Sequence, residues 1–538
     1  MAKIRFNLKA SKFPLMTAFF GDSVAIRSNG DTDYVVTDAY SGTSANDELG
    51  IAQPIYMHNV IPVSHGLQSV DYQTELDNSC KNQSGFDTMI PLRDVNGLNH
   101  LLSPANGQNF ISSNGETWSS ALLSTDTRLS GEVSYAHIRS QTYVCYKNLG
   151  IYRYDPVSQT LQELELIGLN SDQVSGITAA YGMLIAWTDD TVYRSSFENP
   201  EDFTPSLRTG SGSQQITVAR GLIVACLPHT DGFIIYCTEN AVYANGTNDL
   251  AYPFDYGEVR GSAGLISPSH VASDTTFGVH YAWTKAGLQT ISSDTAKLLF
   301  PEVTDFLTCG YLEDYINNWD GQERIGSEIN RPGFDPFHEG YYSECPNNLV
   351  LRKYSLPLEI KVNVVGARYL AISYGIGELT HVLLWDLGLA RFGKLRIPHV
   401  DIFTFAEPET VGAETARDSF GLLQKDGTIR RMDMQLYQPA TDSVMFFGRL
   451  SLNRAAFTTL DEFSLLGHFD PAGTLTVADI ITIDGGTMLE DIYLMPTHAT
   501  KSALKYGARI TGENHILKLT GTFSLASIGA KLESGGDR

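Results

Sequence analysis

The chain has 538 residues, 42% of them hydrophobic, with 26 Tyr, 25 Phe and 48 Gly, and a formal net charge of −23 at pH 7. Its length exceeds what one ordinary core supports, so two or three domains are expected. The negative balance argues against a surface that grips phosphate backbones, because such binding draws on clustered Lys and Arg.

No stretch approaches the roughly 18 to 20 continuous apolar residues of a membrane helix, so no membrane span is expected. The start is basic from Lys3 to Lys12 and then apolar at Phe13, Leu15 and Met16, but Pro14 breaks the run and no small-residue cleavage site follows. A signal peptide is therefore not expected. The six cysteines, Cys80, Cys145, Cys226, Cys237, Cys309 and Cys345, include no CxxC pair and read as reduced and structural. Cys226 and Cys237 flank a turn around Pro228 to Gly232, and folding that hairpin sets Cys226 near Ile234 rather than Cys237.

Residues 1 to about 80 are expected to be an extended segment that packs with a C-terminal β domain or with the body that follows. From there one hairpin recurs. Met183 to Tyr193 and Phe233 to Tyr243 align without a gap: an apolar strand, a threonine, two polar turn formers and a second strand beginning near a valine. The same shape occurs at Tyr143 to Tyr152 and His280 to Gln289, and more faintly at Leu383 to Arg391, Leu422 to Arg430 and Phe110 to Trp118. Most intervals fall in the range of roughly 35 to 50 residues typical of propeller blades. A blade cannot cover both faces of its small sheet alone, so circular stacking is implied. The fold class is all-β: a β-propeller of six or seven blades over 81–447. A β-sandwich of similar hairpins is the bland alternative.

One interval is doubled. From about 301 to 358 the pattern gives way to an insertion rich in Asn, Gly and Pro, with a short amphipathic helix expected from Asp305 to Trp319. From Gly448 the strands lengthen: Phe463 to His468, Thr474 to Ile483, Met488 to Leu494, His515 to Leu519 and Gly521 to Leu525. Residues 448–538 are expected to form a separate β-sandwich or barrel.

The catalytic signals are thin. Ser112 to Trp118 resembles the Asp-box of sialidase-type propellers but is one residue short, and that box marks a structural turn. A glycosidase needs two carboxylates about 5 to 9 Å apart across the substrate. Asp189, Asp190, Glu239 and Asp426 are candidates, but each sits at a hairpin tip, where turn formation explains an acid. His58 and His65 lie seven apart in an extended segment, and His229 stands two before Asp231 in a turn. Neither pair has metal-ligand spacing. No Walker loop, GxSxG elbow or HExxH motif is present. No catalytic, cofactor-binding or metal-ligating residue is assigned, and a non-enzymatic protein is expected.

Several stretches resemble the nozzle and hub proteins of short-tailed bacteriophages, a group that includes the packaged-DNA stabilisation proteins. His58 to Pro62 with His65-Gly66-Leu67 is similar to their entry into the first blade. Val192 to Ser196, followed by Asn199-Pro200-Glu201-Asp202-Phe203, resembles one of their blade ends, and Tyr252-Pro253-Phe254 with Gly261 and Gly264 the next boundary. Leu517 to Gly521 through Gly535-Gly536 looks like their closing strands. The resemblance covers most of 55–290 and the C-terminus, while the 301–358 insertion has no counterpart. It implies a virion component in the phage tail: a homo-oligomeric ring, commonly of six copies, below the portal and adaptor, through which double-stranded DNA passes without sequence-specific binding. An acidic bore agrees, since it repels DNA and prevents adhesion. A receptor- or carbohydrate-binding propeller adhesin, and behind it a glycan-degrading enzyme, are the alternatives.

Overall fold

A strand that is apolar along its whole length needs cover on both faces. The centre of the chain supplies several: Gln141–Tyr146, Met183–Trp187, Gly232–Cys237 and Val279–Thr284 are buried at nearly every position. The computed structural model describes residues 132–274, 278–301 and 358–404 with few gaps. It also describes much of 54–121, 419–451 and 458–534, and the strands Ala2–Asn7, Ser23–Arg27 and Asp33–Thr37. The expected helix at 305–319, the rest of the insertion to 357, His65 and most of the Asp-box-like stretch fall outside the described residues.

Each apolar strand is the second of an antiparallel four-stranded meander. The first blade is Ile90–Arg93, Asn99–Ala105, Gln108–Ser112 and Ser119–Ala121, and the second is Val133–Ile138, Gln141–Tyr146, Gly150–Asp155 and Thr160–Glu163. The third is Gly176–Ala180, Met183–Trp187, Thr191–Arg194 and Gly212–Gln215, and the fourth is Ile223–His229, Gly232–Cys237, Ala241–Gly246 and Phe254–Glu258. The fifth is Val271–Asp274, Val279–Thr284, Gly287–Ile291 and Ala296–Leu298. A three-stranded sheet, Asp401–Thr404, Ser419–Leu423 and Ile429–Asp433, ends the series. Among the described residues these are six discrete blades.

A further meander, Leu358–Val365, Tyr369–Ile376, Leu379–Asp386 and Arg391–His399, stands between the fifth blade and the last. Its first strand touches the first strands of both neighbours, as a blade's innermost strand does. This sixth unit is not a discrete sheet. Its outer strand meets the hairpin Val60–Val63 and Gly66–Ser69, and that hairpin pairs with Phe523–Ser534, which pairs in turn with Thr458–Phe469 and Ala2–Asn7. Gly393 sits at the junction, where a Cβ would lie 2.6 Å from the Pro62 ring and 2.7 Å from the Val60 carbonyl. The close approach of two strands explains the glycine.

Apolar layers fill the spaces between blades. Leu92, Leu102 and Ile111 of the first meet Val144, Tyr146 and Tyr152 of the second. Ile185, Trp187 and Val192 of the third meet Phe233, Ile235 and Phe254 of the fourth. Polar tips cross these layers in pairs: Tyr146 donates to the Asn109 side chain, and the Tyr236 hydroxyl lies 2.8 Å from His280 Nδ1.

The ring is closed by the segment just ahead of the first blade. The amides of Gly85 and Phe86 donate to the Lys425 carbonyl in the last blade, at 3.1 and 3.4 Å. Phe86, Met89 and Phe110 pack with Phe403, Leu423 and Ile429. The Asp401 carboxylate, in the last blade's inner strand, accepts from the Met89 amide at 2.8 Å, the Thr88 hydroxyl at 3.1 Å and the Asn363 amide at 3.3 Å. One buried carboxylate thus ties the sixth unit, the last blade and the lead-in to the first. The architecture is a β-propeller.

The repeated hairpin marks the second and third strands at Tyr143 to Tyr152, Met183 to Tyr193, Phe233 to Tyr243, His280 to Gln289 and Leu422 to Arg430. The other two copies fall one strand late. Phe110 to Trp118 leads from the third strand of the first blade toward the fourth, and Leu383 to Arg391 joins the third and fourth strands of the sixth meander. Past the ring, Val444–Phe447 and Arg449–Ser451 join a second sheet with Ser23–Arg27, Asp33–Thr37, Pro54–His58, Val477–Asp484, Thr487–Leu494 and Asn514–Thr520. The 15-residue strand His498–Gly512, which the sequence pattern had not indicated, pairs with Thr458–Phe469 in the first large sheet.

Replacing Asp401 by Ala strands several donors at the ring closure, and its expected cost is about 3 kcal/mol of unfolding free energy. Asp401→Asn keeps one acceptor oxygen and should cost less. Urea denaturation of both variants checks the order, and equal midpoints with wild type would contradict a closing role.

Candidate functional site

The acids singled out in the sequence are spread over three blades. Asp190 accepts from Thr191 Oγ1 at 2.7 Å and Gln215 Nε2 at 2.9 Å, and the Asp189 carbonyl accepts from the Ile223 amide at 2.8 Å. Glu239 pairs with Lys285 of the next blade at 2.7 Å, both exposed. Asp426 Oδ1 accepts from the Thr428 amide at 2.9 Å, an Asx-type turn. They shape turns, and no two of them are brought together across a cleft. His229 Nε2 donates to the Gly278 carbonyl at 2.7 Å, and the Asp231 carbonyl accepts from the Gly246 amide at 2.7 Å. Among the described residues no three His, Cys, Asp or Glu side chains converge as metal ligands would.

The described cysteines are free thiols at buried positions. Cys226 faces Ile235, one residue on from the expected Ile234, and Cys237 faces Ile223. Burial pushes the Cys145 and Cys237 thiols up to about 12 and holds Cys226 well above its ordinary value, so none is a nucleophile near neutral pH.

The arrangement with chemical potential lies between the outer strands of the third and fourth blades. A cleft of about 480 Å3 is lined by Gln214, Ile216, Thr217 and Val218 on one side and by Thr247, Tyr252, Phe254, Asp255 and Tyr256 on the other. Both walls are held by hydrogen bonds. Asn240, fully buried, accepts from the Arg220 amide at 2.9 Å and donates to the Val218 carbonyl at 3.1 Å, which staples the near loop to the fourth blade. On the far side the Thr247 amide donates to the Pro253 carbonyl at 2.9 Å, and Asp249 Oδ1 accepts from the Ala251 amide at 2.9 Å. The floor is aromatic, with Phe254 edge-on to Phe233 at 5.0 Å. Tyr252 is 70% exposed at the rim.

Behind this wall sits Arg194, on the third strand of the third blade and only 8% exposed. Its Nη1 donates to Gln214 Oε1 at 3.3 Å, and the Tyr256 hydroxyl accepts from the same guanidinium. Its buried Nε has no acceptor, and among the described residues no carboxylate pairs with it. Tyr256 lies beside it, with its buried hydroxyl turned to the guanidinium. Burial raises the Tyr256 phenol above its ordinary value, and the neighbouring Arg194 charge offsets part of that rise. An arginine keeps its charge, and a buried charge is ordinarily paired. The site therefore holds, behind a preformed cleft, a buried cation whose partners are neutral and which no carboxylate among the described residues pairs with.

No family model matches the chain, and no curated protein matches it. Among solved structures it is similar to "YCF48 bound to D1 peptide", with 11% identity and a TM-score of 0.39 over 66% of this chain and 94% of that one. It is also similar to the WD40 β-propeller domain of Doa1, with 10% identity and a TM-score of 0.35 over 65% and 98%. YCF48 from Cyanidioschyzon merolae matches with 11% identity and a TM-score of 0.38 over 65% and 96%. The propeller assignment rests on this chain's own strand order.

Buried histidines set the expected pH response. Burial pulls His270 and His399 down to about 4 and His280 to about 3, so all three are neutral in the fold. The unfolded chain takes up protons at these residues below about 6.5. Their contribution is complete above that pH and drains as pH falls toward 4, at up to about 1.4 kcal/mol per pH unit for each. Urea midpoints at pH 7.5, 6 and 5 should fall steadily, with His280→Gln reducing the slope.

Proposed function

We propose that this chain is a structural subunit of a short-tailed phage tail, assembled as a ring of copies beneath the portal and adaptor and surrounding the path by which DNA leaves. The observation that carries the reading is the weld between the two bodies. Domains in one chain are by default joined by linkers and move relative to each other. Here a blade continues, strand by strand, into a sheet that holds both an N-terminal strand and the C-terminal strand. A part that must keep its geometry around passing DNA gains from such a junction. The acidic balance adds support, because a negatively charged bore lets a polyanion slide without sticking. The ordered stretches that resemble the nozzle and hub group point the same way. In this reading the protein performs no catalysis, and its function resides in oligomer geometry and charge.

A second reading is favoured by the cleft between the third and fourth blades: a propeller that binds a surface ligand. The two readings are compatible, since a tail ring can present its blades outward.

Electron microscopy of the particle that carries this protein tests the first reading. The expected result is an enclosed ring of copies around a bore of duplex width. A single copy on a peripheral fibre would overturn it.

A further inference from the structure

From the unmatched charge behind the cleft we infer that the groove between the third and fourth blades is a binding site for an acidic saccharide, a sugar that carries one carboxylate among neutral hydroxyls. This inference deepens the ligand-binding reading and is independent of the ring.

Three features carry it. Arg194 is more than nine-tenths buried, has an idle Nε, and meets only neutral partners, the Gln214 amide at 3.3 Å and the Tyr256 hydroxyl. A carboxylate in place of Gln214 Oε1 makes a shorter, charge-assisted contact with Nη1. Gln214 is exposed and held by nothing else among the described residues, so its side chain can swing aside and leave the guanidinium open to the cleft. The Tyr256 hydroxyl, which accepts from Arg194, keeps its own proton to donate to the same anion.

The rest of the lining selects the body that bears the carboxylate. Tyr252 at the rim and Tyr256 in the wall offer ring faces of the kind sugars stack on, and Ile216 and Val218 face them. Asp255 and Thr217 stand where hydroxyls of a bound sugar would lie. Asp255 accepts from a hydroxyl but repels a second acid, so a ligand with one carboxylate and several hydroxyls fits better than a run of acidic side chains. The walls are already fixed by Asn240 and Asp249, which keeps the ordering cost of binding low.

Titration of the full-length protein with D-glucuronate, D-glucose and N-acetyl-glutamate methylamide, read by ligand-observed NMR, tests the assignment. Glucuronate should bind at least about tenfold more tightly than glucose, the discrimination of one charge-assisted contact. Arg194→Gln should erase that difference. Because that variant removes a buried side chain, Gln214→Glu provides a second arm: an internal carboxylate should pair with Arg194, raise the melting temperature and abolish glucuronate binding. Equal binding of glucuronate and glucose would overturn the role of the charge. Preference for the glutamate amide would overturn the saccharide while leaving a ligand-binding propeller. Absence of binding by all three, with an unchanged melting temperature for Gln214→Glu, would overturn both.

Discussion

A ring of blades is stable only if its last sheet meets its first, and in this protein that meeting depends on one carboxylate. Asp401 occupies the inner strand of the last blade and gathers donors from the sixth unit and from the lead-in to the first. Around it, Phe86 and Met89 fill the final inter-blade layer with Phe403, Leu423 and Ile429. Without this contact the first and last blades would each expose an apolar face, and the layers between the other blades would no longer be held by a closed circle. The burial of a charge is costly, and here each oxygen is hydrogen-bonded, which offsets the cost.

The same logic of satisfying buried groups separates the acids that build the fold from the cation that does not belong to it. Asp190, Glu239 and Asp426 each have a partner close at hand, and their chemistry is used up in turns and exposed ion pairs. Arg194 breaks the rule. Where Tyr236 meets His280 across the layer, both partners are neutral; a buried guanidinium that meets only a neutral amide and a hydroxyl, with no carboxylate among the described residues, is the feature that points outward.

Much of the ring was legible in the sequence because the second strand of a blade is covered on both faces and therefore apolar throughout, as Met183–Trp187 and Gly232–Cys237 show. The offset copies have a physical reason too. Asp386 accepts from the Gly388 amide at 3.0 Å in a turn between third and fourth strands, and that turn chemistry is the same between any two strands of a meander. The strand His498–Gly512 is not legible in the sequence because Lys501, Lys505 and Gly507 interrupt the apolar alternation that marks a half-buried strand. Arg194 lies in the blade-end stretch Val192 to Ser196, and Tyr252 and Phe254 lie in the next boundary, but nothing in either stretch shows that they flank one cleft. Its burial comes from the strand Gly212–Gln215 and from the neighbouring blade, both distant in sequence.

The hairpin Val60–Val63 and Gly66–Ser69 has a consequence for synthesis. It is made early, yet its two edges are completed by Lys394 on one side and by Ser524 and Leu525 on the other, and Ser69 exchanges hydrogen bonds with Phe523. A ribosome delivers Lys394 only after the first five blades, and Phe523 later still, 454 residues past Ser69. Until then the hairpin carries unpaired edges, which are templates for association with other chains. Blades two to five can form as the chain emerges, from contacts close in sequence. The joint between the propeller and the large sheets waits for Phe523–Ser534, so a chain stopped before that strand would hold a set of folded blades with no anchor.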